Sequence, residues 1–135
     1  MINRVLTERI YAARDMVFAE AAKDQRFMAF AVADEAAGLV FGERMDGCHA
    51  RVLRHAIRKA YTSATMRRDT RVFRDQNAEQ GKTLADWGDV ELTQLLGGLV
   101  IKIGDEWFGG MAVGGNEPDR DEALARAALA ILRGE

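Results

Sequence analysis

The sequence predicts an α+β fold, helices packed on an antiparallel sheet, from three observations. Two pairs of short apolar runs are each joined by a turn-rich stretch, which signals hairpins and not strand-helix-strand crossovers. Residues 5–23 and 48–67 carry apolar side chains at helical spacing, and Pro118 with the acidic run after it opens a third such segment. At 135 residues, 48% hydrophobic and 30% charged, the chain can bury one core without disulfide or metal staples, so a single domain over 1–135 is expected.

Taken in order, Leu6, Ile10, Ala13, Val17 and Ala21 form the inner stripe of a first amphipathic helix, while Glu8, Arg9, Arg14, Asp15 and Glu20 fall elsewhere. Residues 27–32 and Leu39 to Phe41 read as antiparallel strands around Asp34 to Gly38, with Gly38 supplying the permissive backbone. Arg44-Met45-Asp46-Gly47 then reads as a strand end and tight turn that releases the chain into a second helix, with Asp46 placed to cap it. On that helix Val52, Leu53, Ala56, Ile57, Ala60 and Ala64 share a face and Arg51, Arg54 and Arg58 point away. Residues 68–92 lack a long period and suggest short helical turns. Residues 95–103 and 107–113 form a second hairpin around Gly104-Asp105-Glu106, and a D-x-x-E pattern at Asp119 to Glu122 caps a last helix at about 120–132.

Global composition excludes several classes of function. Net charge is −2 and the isoelectric point near 5.7, so nothing draws the chain to nucleic acid or an anionic membrane. A lone cysteine, Cys48, cannot close an internal disulfide, no Cys/His group has zinc-site spacing, and no run is apolar and long enough for a signal peptide or a membrane span. A cytoplasmic protein without a protein-bound metal is the expectation.

Leu6-Thr7, Ala31-Val32-Ala33-Asp34 with Gly38-Leu39-Val40, Arg44-Met45-Asp46-Gly47, Ala56, Lys59-Ala60-Tyr61-Thr62, Gly97-Gly98 with Ile101, Gly109 through Gly115, and Asp121 with Ala125 through Leu129 follow one another along nearly the whole chain. In this order and spacing they resemble the GlcG/HbpS-type family, which includes the carboxy-terminal domain of PduO proteins and is described as haem-binding or haem-degrading. The resemblance implies a profilin-like α/β/α arrangement around a five-stranded antiparallel sheet, assembled into homo-oligomers. The chain also departs from the family pattern. Gly38 lies one place later in its turn, Val100 and Asp69 stand at usual proline positions, and Gly114 stands where serine is common. Some relatives ligate haem iron through a histidine of the first helix, yet residues 5–23 contain none; Met16 or Tyr11 is a substitute ligand or, more simply, core packing.

Lys59 is the leading candidate for chemistry. It sits at the rim of its helix's apolar face, where the stem is covered and the ammonium reaches a cleft. There it either pairs with a ligand carboxylate, acts as a base or Schiff-base amine, or forms a salt bridge to Asp34, Asp46 or another carboxylate. Arg44 can grip a carboxylate bidentately. Asp46 is either a cap or an acid/base, and His49 either a packed histidine or a general acid/base. Thr70, Gly98 and Gly114 complete the expected ligand-binding set. Cys48 and His55 lie two turns apart on the second helix, roughly 10 Å, too far for direct thiol activation. Gly109 through Gly115 precedes a helix, but neither nucleotide-loop spacing nor a charge-free helix start accompanies it.

These residues support a protein that binds a carboxylated small molecule, haem or another tetrapyrrole among them. The alternatives are an isomerase, hydrolase or lyase acting on a carboxylated catabolic metabolite, and a structural accessory subunit of a catabolic enzyme system.

Overall fold

The computed structural model of the protein describes residues 2–135. In chain order it comprises α1 (Arg4–Lys23), β1 (Ala29–Ala33), β2 (Leu39–Arg44), α2 (Ala50–Met66), α3 (Thr70–Glu79), a 3-10 turn (Leu84–Trp87), β3 (Gly98–Ile103), β4 (Glu106–Gly114) and α4 (Pro118–Leu132). All strand pairs are antiparallel, in the order β2-β1-β4-β3. Among the described residues the sheet has four strands, not the five that the resemblance implied. The chain entering β3 spends its amides on side chains and not on a ladder: Thr93 N–H donates to the Thr62 hydroxyl at 3.0 Å and Leu95 N–H to the Thr93 hydroxyl at 3.2 Å.

Alternation along the strands sends different side chains to the two faces. Phe30, Val32, Leu99, Ile101, Met111 and Val113 join the main core with α1 and α4. The five residues of α1 in that core are Leu6, Ile10, Ala13, Val17 and Ala21, the stripe expected from spacing. On the opposite face Ala29, Ala31, Ala33 and Ala112 meet Ala56, Ala60 and Ala64 of α2. Large side chains hold one layer at a distance, whereas this second layer comes close. A Cβ built on Gly110 would stand 2.4 Å from the Ala60 carbonyl oxygen.

Three local expectations are corrected. The left-handed residue of the β1–β2 turn is Ala37 (φ 65°), not Gly38, because Asp34 Oδ1 accepts the N–H groups of both Ala36 and Gly38 and closes the turn itself. α2 starts at Ala50 with His49 in the cap position and no side-chain cap bond, so Asp46 does not cap it. Gly47 carries the turn instead, at φ 88°, with the Phe27 ring so near that a Cβ would stand 3.1 Å from it. At α4 the cap position is Glu117, and Asp119 and Glu122 receive Arg71 at 2.9 and 3.0 Å and so do not form a capping box.

Candidate functional site

The close packing of α2 buries Lys59. Only 3% of the residue is exposed, far less than a rim position suggests, because the Gly/Ala face lets the helix backbone settle onto the sheet. Lys59 Nζ donates to the Val113 carbonyl at 2.7 Å and lies 3.5 Å from Asp121 Oδ2. An ammonium has three N–H donors, so two partners leave one donor for a ligand. The carboxylate partner is thus Asp121 of α4, neither Asp34 nor Asp46. Asp121 is 5% exposed, and its other oxygen accepts the Asn116 N–H at 2.9 Å.

Two glycines clear the space around the amine. A Cβ on Gly97 would meet Nζ at 3.0 Å and the Val113 carbonyl at 2.7 Å, and Gly97 holds φ 115°, which side chains rarely adopt. A Cβ on Gly114 would meet Nζ at 3.3 Å. Above Lys59 opens a cavity of about 170 Å³ whose walls are Val52 and His55 of α2, Leu95 and Leu96 before β3, Gly114 and Gly115, and Asn116, Pro118 and Asp121 at the start of α4. Its far wall is pinned. Asn116 Nδ2 donates to Asp24 at 2.8 Å, and Asp24 pairs with Arg120 at 2.8 Å. Two larger hollows, about 440 Å³ beside Lys102 and Arg133 and about 520 Å³ beside Leu84 and Val90, are lined by no buried ionisable group.

Burial dominates the electrostatics. It lowers the Lys59 amine below its ordinary range, against the opposing pull of Asp121, and raises the Asp121 carboxyl to about 6 despite the neighbouring ammonium. Both partners move toward their neutral forms, so a proton shared between them is easily shifted. His55 at the cavity wall is held down by burial first and then by Lys59, Arg58, Arg51 and Arg54. Arg51 and Arg54 are exposed, and Arg58 reaches Glu91 at 3.3 Å. The basic residues of α2 therefore act on the His55 side of the cavity, opposite the acidic start of α4.

The other expected site residues are distributed around this centre. Gly114 lines the cavity with Lys59. Thr70 and Gly98 do not line the cavity but form a buried seam against the Lys59 backbone, where a Cβ on Gly98 would stand 2.7 Å from the Lys59 carbonyl oxygen: the Thr70 hydroxyl accepts the Gly98 N–H at 3.1 Å and donates to its carbonyl at 3.3 Å, tying α3 to β3. Arg44 lies two strands across, through Ala29, from Gly114, and its guanidinium donates to the Cys48 carbonyl. His49 and Asp46 are exposed at the entry to α2 and do not line the cavity. Burial pushes the Cys48 thiol up, away from reactivity. Asp121 and Asn116 went unrecognised as site residues. Only the family spacing around Asp121 hinted at the first.

Haem fits poorly into this cavity. The volume falls well below the about 300 Å³ at which pockets for drug-sized ligands begin. In α1, Tyr11 is 47% exposed beside Phe41 and Arg14, so it is not the core residue expected, and Met16 packs against the main core. Among the described residues no group of three or more His, Cys, Asp or Glu is placed to hold a metal ion, and no helix is long and apolar enough to cross a membrane.

A four-stranded antiparallel sheet layered between helices, with a small cavity over a buried lysine, defines the class as an α+β sheet-and-helix sandwich. Residues 7–130 match the family model described as haem degrading protein HbpS-like, and the chain belongs to that family. It is similar to a variant of Streptomyces reticuli HbpS carrying two glutamate-to-aspartate changes, at 28% identity and TM-score 0.80, over 93% of this chain and 84% of that one. Klebsiella pneumoniae protein ORFY shares the fold at 20% identity and TM-score 0.83, covering 99% of this chain and 92% of that one. So does the PduOC–haem complex, at 18% identity and TM-score 0.83, covering 96% and 94%. None of the curated proteins matches the chain.

Proposed function

We infer that the protein binds a small carboxylated molecule in the cavity over Lys59. The observation that carries this reading is a buried ammonium with a donor to spare, lining a cavity together with Gly114. A charge-assisted hydrogen bond from a buried lysine to a carboxylate contributes about 1.5–3 kcal/mol. Arg51, Arg54 and Arg58 add positive charge on the His55 side of the cavity. The family description and the haem complex of PduOC make a tetrapyrrole the first ligand to test, engaged through a propionate with its ring outside the cavity. The single buried cysteine is consistent with a reducing, cytoplasmic setting. Assembly into a homo-oligomer draws support from edge strand β2, where Leu39 and Val40 are exposed.

Titration with haem and, in parallel, calorimetry with short monocarboxylates test the reading. A Soret shift that saturates and is lost in Lys59→Met supports tetrapyrrole binding through this cavity. No spectral change, with saturable binding of a short carboxylate, would remove haem and keep the site. Binding of neither would remove the reading.

One observation favours the enzymatic alternative. Lys59 and Asp121 are both displaced toward neutrality by burial, the arrangement in which groups exchange protons near pH 7. An isomerase, hydrolase or lyase role for Lys59 fails if a folded Lys59→Met protein keeps full turnover of an identified substrate.

A further inference from the structure

We propose that Lys59 forms a covalent imine with a small 2-oxo acid, its carboxylate drawn in by the basic residues of α2 and its carbonyl carbon delivered to Nζ. The inference deepens the carboxylate-binding reading of the same cavity and rests on it.

Three features of the site separate an imine-forming lysine from one that only holds charge. The first is access along one side. Lys59 and Gly114 both line the cavity, and a Cβ on Gly114 would stand 3.3 Å from Nζ, so the amine meets the cavity past a position that carries no side chain. The second is the neighbour. Asp121 Oδ2 is 3.5 Å from Nζ, within reach to take the proton that must leave before the nitrogen can attack, while Oδ1 stays fixed on the Asn116 N–H. Burial pushes amine and carboxyl in the directions that favour this exchange. The third is size: about 170 Å³, or roughly six water molecules at about 30 Å³ each, suits an acid of a few carbons.

The step balances within the site. The Lys59 ammonium passes a proton to the Asp121 carboxylate, leaving a neutral amine and a carboxylic acid. The nitrogen lone pair attacks the carbonyl carbon, a C–N bond forms, and the carbonyl oxygen collects a proton from nitrogen to become the hydroxyl of a carbinolamine. Asp121 then protonates that hydroxyl, the C–O bond breaks, and water leaves. A protonated imine remains beside the Asp121 carboxylate, the same net charge as at the start. No oxidant, reductant or metal enters.

Pyruvate with sodium borohydride is the direct probe, read by intact mass and peptide mapping on the full chain. Reduction should add the mass of pyruvic acid less one oxygen atom, once per chain and at Lys59, while Lys23, Lys82 and Lys102 provide internal controls. Lactate, which lacks the carbonyl, should give no adduct, and acetone, which lacks the carboxylate, about tenfold less or lower still. Lys59→Met and Lys59→Arg should both lose the adduct, and because mapping is done on the unaltered protein, a variant that fails to fold leaves the test intact. Asp121→Asn should slow trapping while leaving Lys59 the only labelled site. Saturable binding of pyruvate and lactate by calorimetry without any trapped product overturns the imine and leaves the carboxylate site standing. No binding and no trapping removes both. Labelling spread evenly over the four lysines also overturns the proposal.

Discussion

The two faces of the sheet are built from the same four strands to opposite designs. Toward α1 and α4 the strands present Phe30, Val32, Leu99, Ile101, Met111 and Val113, which with Ile10, Leu124 and Leu132 form a dense apolar layer. Toward α2 they present alanine and glycine, and a lysine is buried among them. Each fully buried large side chain contributes about 1.5–3 kcal/mol, so stability resides mainly in the first face. The second face gives up much of that contribution for closeness, and closeness is what removes the Lys59 amine from water. A helix held off by leucines and valines would leave that amine solvated.

If this division holds, truncation should hurt most on the α1/α4 face. Phe30→Ala, at a fully buried position, is expected to cost about 3–5 kcal/mol in urea unfolding. On the α2 face the damaging change is the reverse, enlargement. Gly110→Ala places a methyl 2.4 Å from the Ala60 carbonyl and 2.7 Å from the Ala64 nitrogen, backbone atoms that cannot rotate away, and should cost about 1–3 kcal/mol. A Gly110→Ala protein as stable as the parent would show that α2 is not held against the sheet, and the burial of Lys59 would lose its cause.

The second test concerns pH. Asp121 has a folded pKa raised from 3.8 to about 6, so its protonation favours the folded state. The stability it contributes is fully present below about pH 4 and is lost as pH rises through about 6. The displacement corresponds to a loss on the order of 3 kcal/mol across that window, lessened to the extent that Lys59 titrates with it. Asp121→Asn keeps the acceptor for the Asn116 N–H and should flatten this part of the stability profile. An unchanged slope in the variant would assign the pH dependence elsewhere. Among the described residues the apolar cluster between the sheet and α1/α4 contains no buried ionisable group, Asp121 in the first turn of α4 lying outside it, and should contribute nothing to the pH dependence.

How much of this was legible in sequence follows from what each feature depends on. The α1 stripe was readable residue for residue because helical periodicity is a local property. The hairpins were readable for the same reason, although the permissive residue of the first proved to be Ala37, since an Asp34 side chain can close a turn without glycine. Lys59 was identifiable, but its burial was not. A helical wheel places it at a rim, and only the glycines and alanines contributed by distant strands bring the backbone near enough to cover it. Asp121 was hidden in an acidic run that reads as a helix start. Its meeting with Lys59 spans 62 residues and exists only after α4 folds back across the sheet. The family resemblance carried the class of the fold correctly and overstated its strands, because Thr62 diverts the segment before β3.

The smallest expected effect is the most direct report on the α2 face. His55 sits half-buried at the cavity wall, its pKa lowered by burial and then by Lys59, Arg58, Arg51 and Arg54. Its imidazole resonances should therefore titrate below the ordinary 6.5 in NMR. Replacing Lys59 by Met removes the largest of the four charges acting on it, so the midpoint should move up without reaching the ordinary value, because burial and the arginines remain. A bound carboxylate should move it the same way in the unaltered protein, since an anion beside the imidazole favours the charged ring. If the carboxylate moves the His55 midpoint equally in the unaltered protein and in Lys59→Met, the anion is condensing on the arginines of the outer helix surface and not entering the cavity over Lys59.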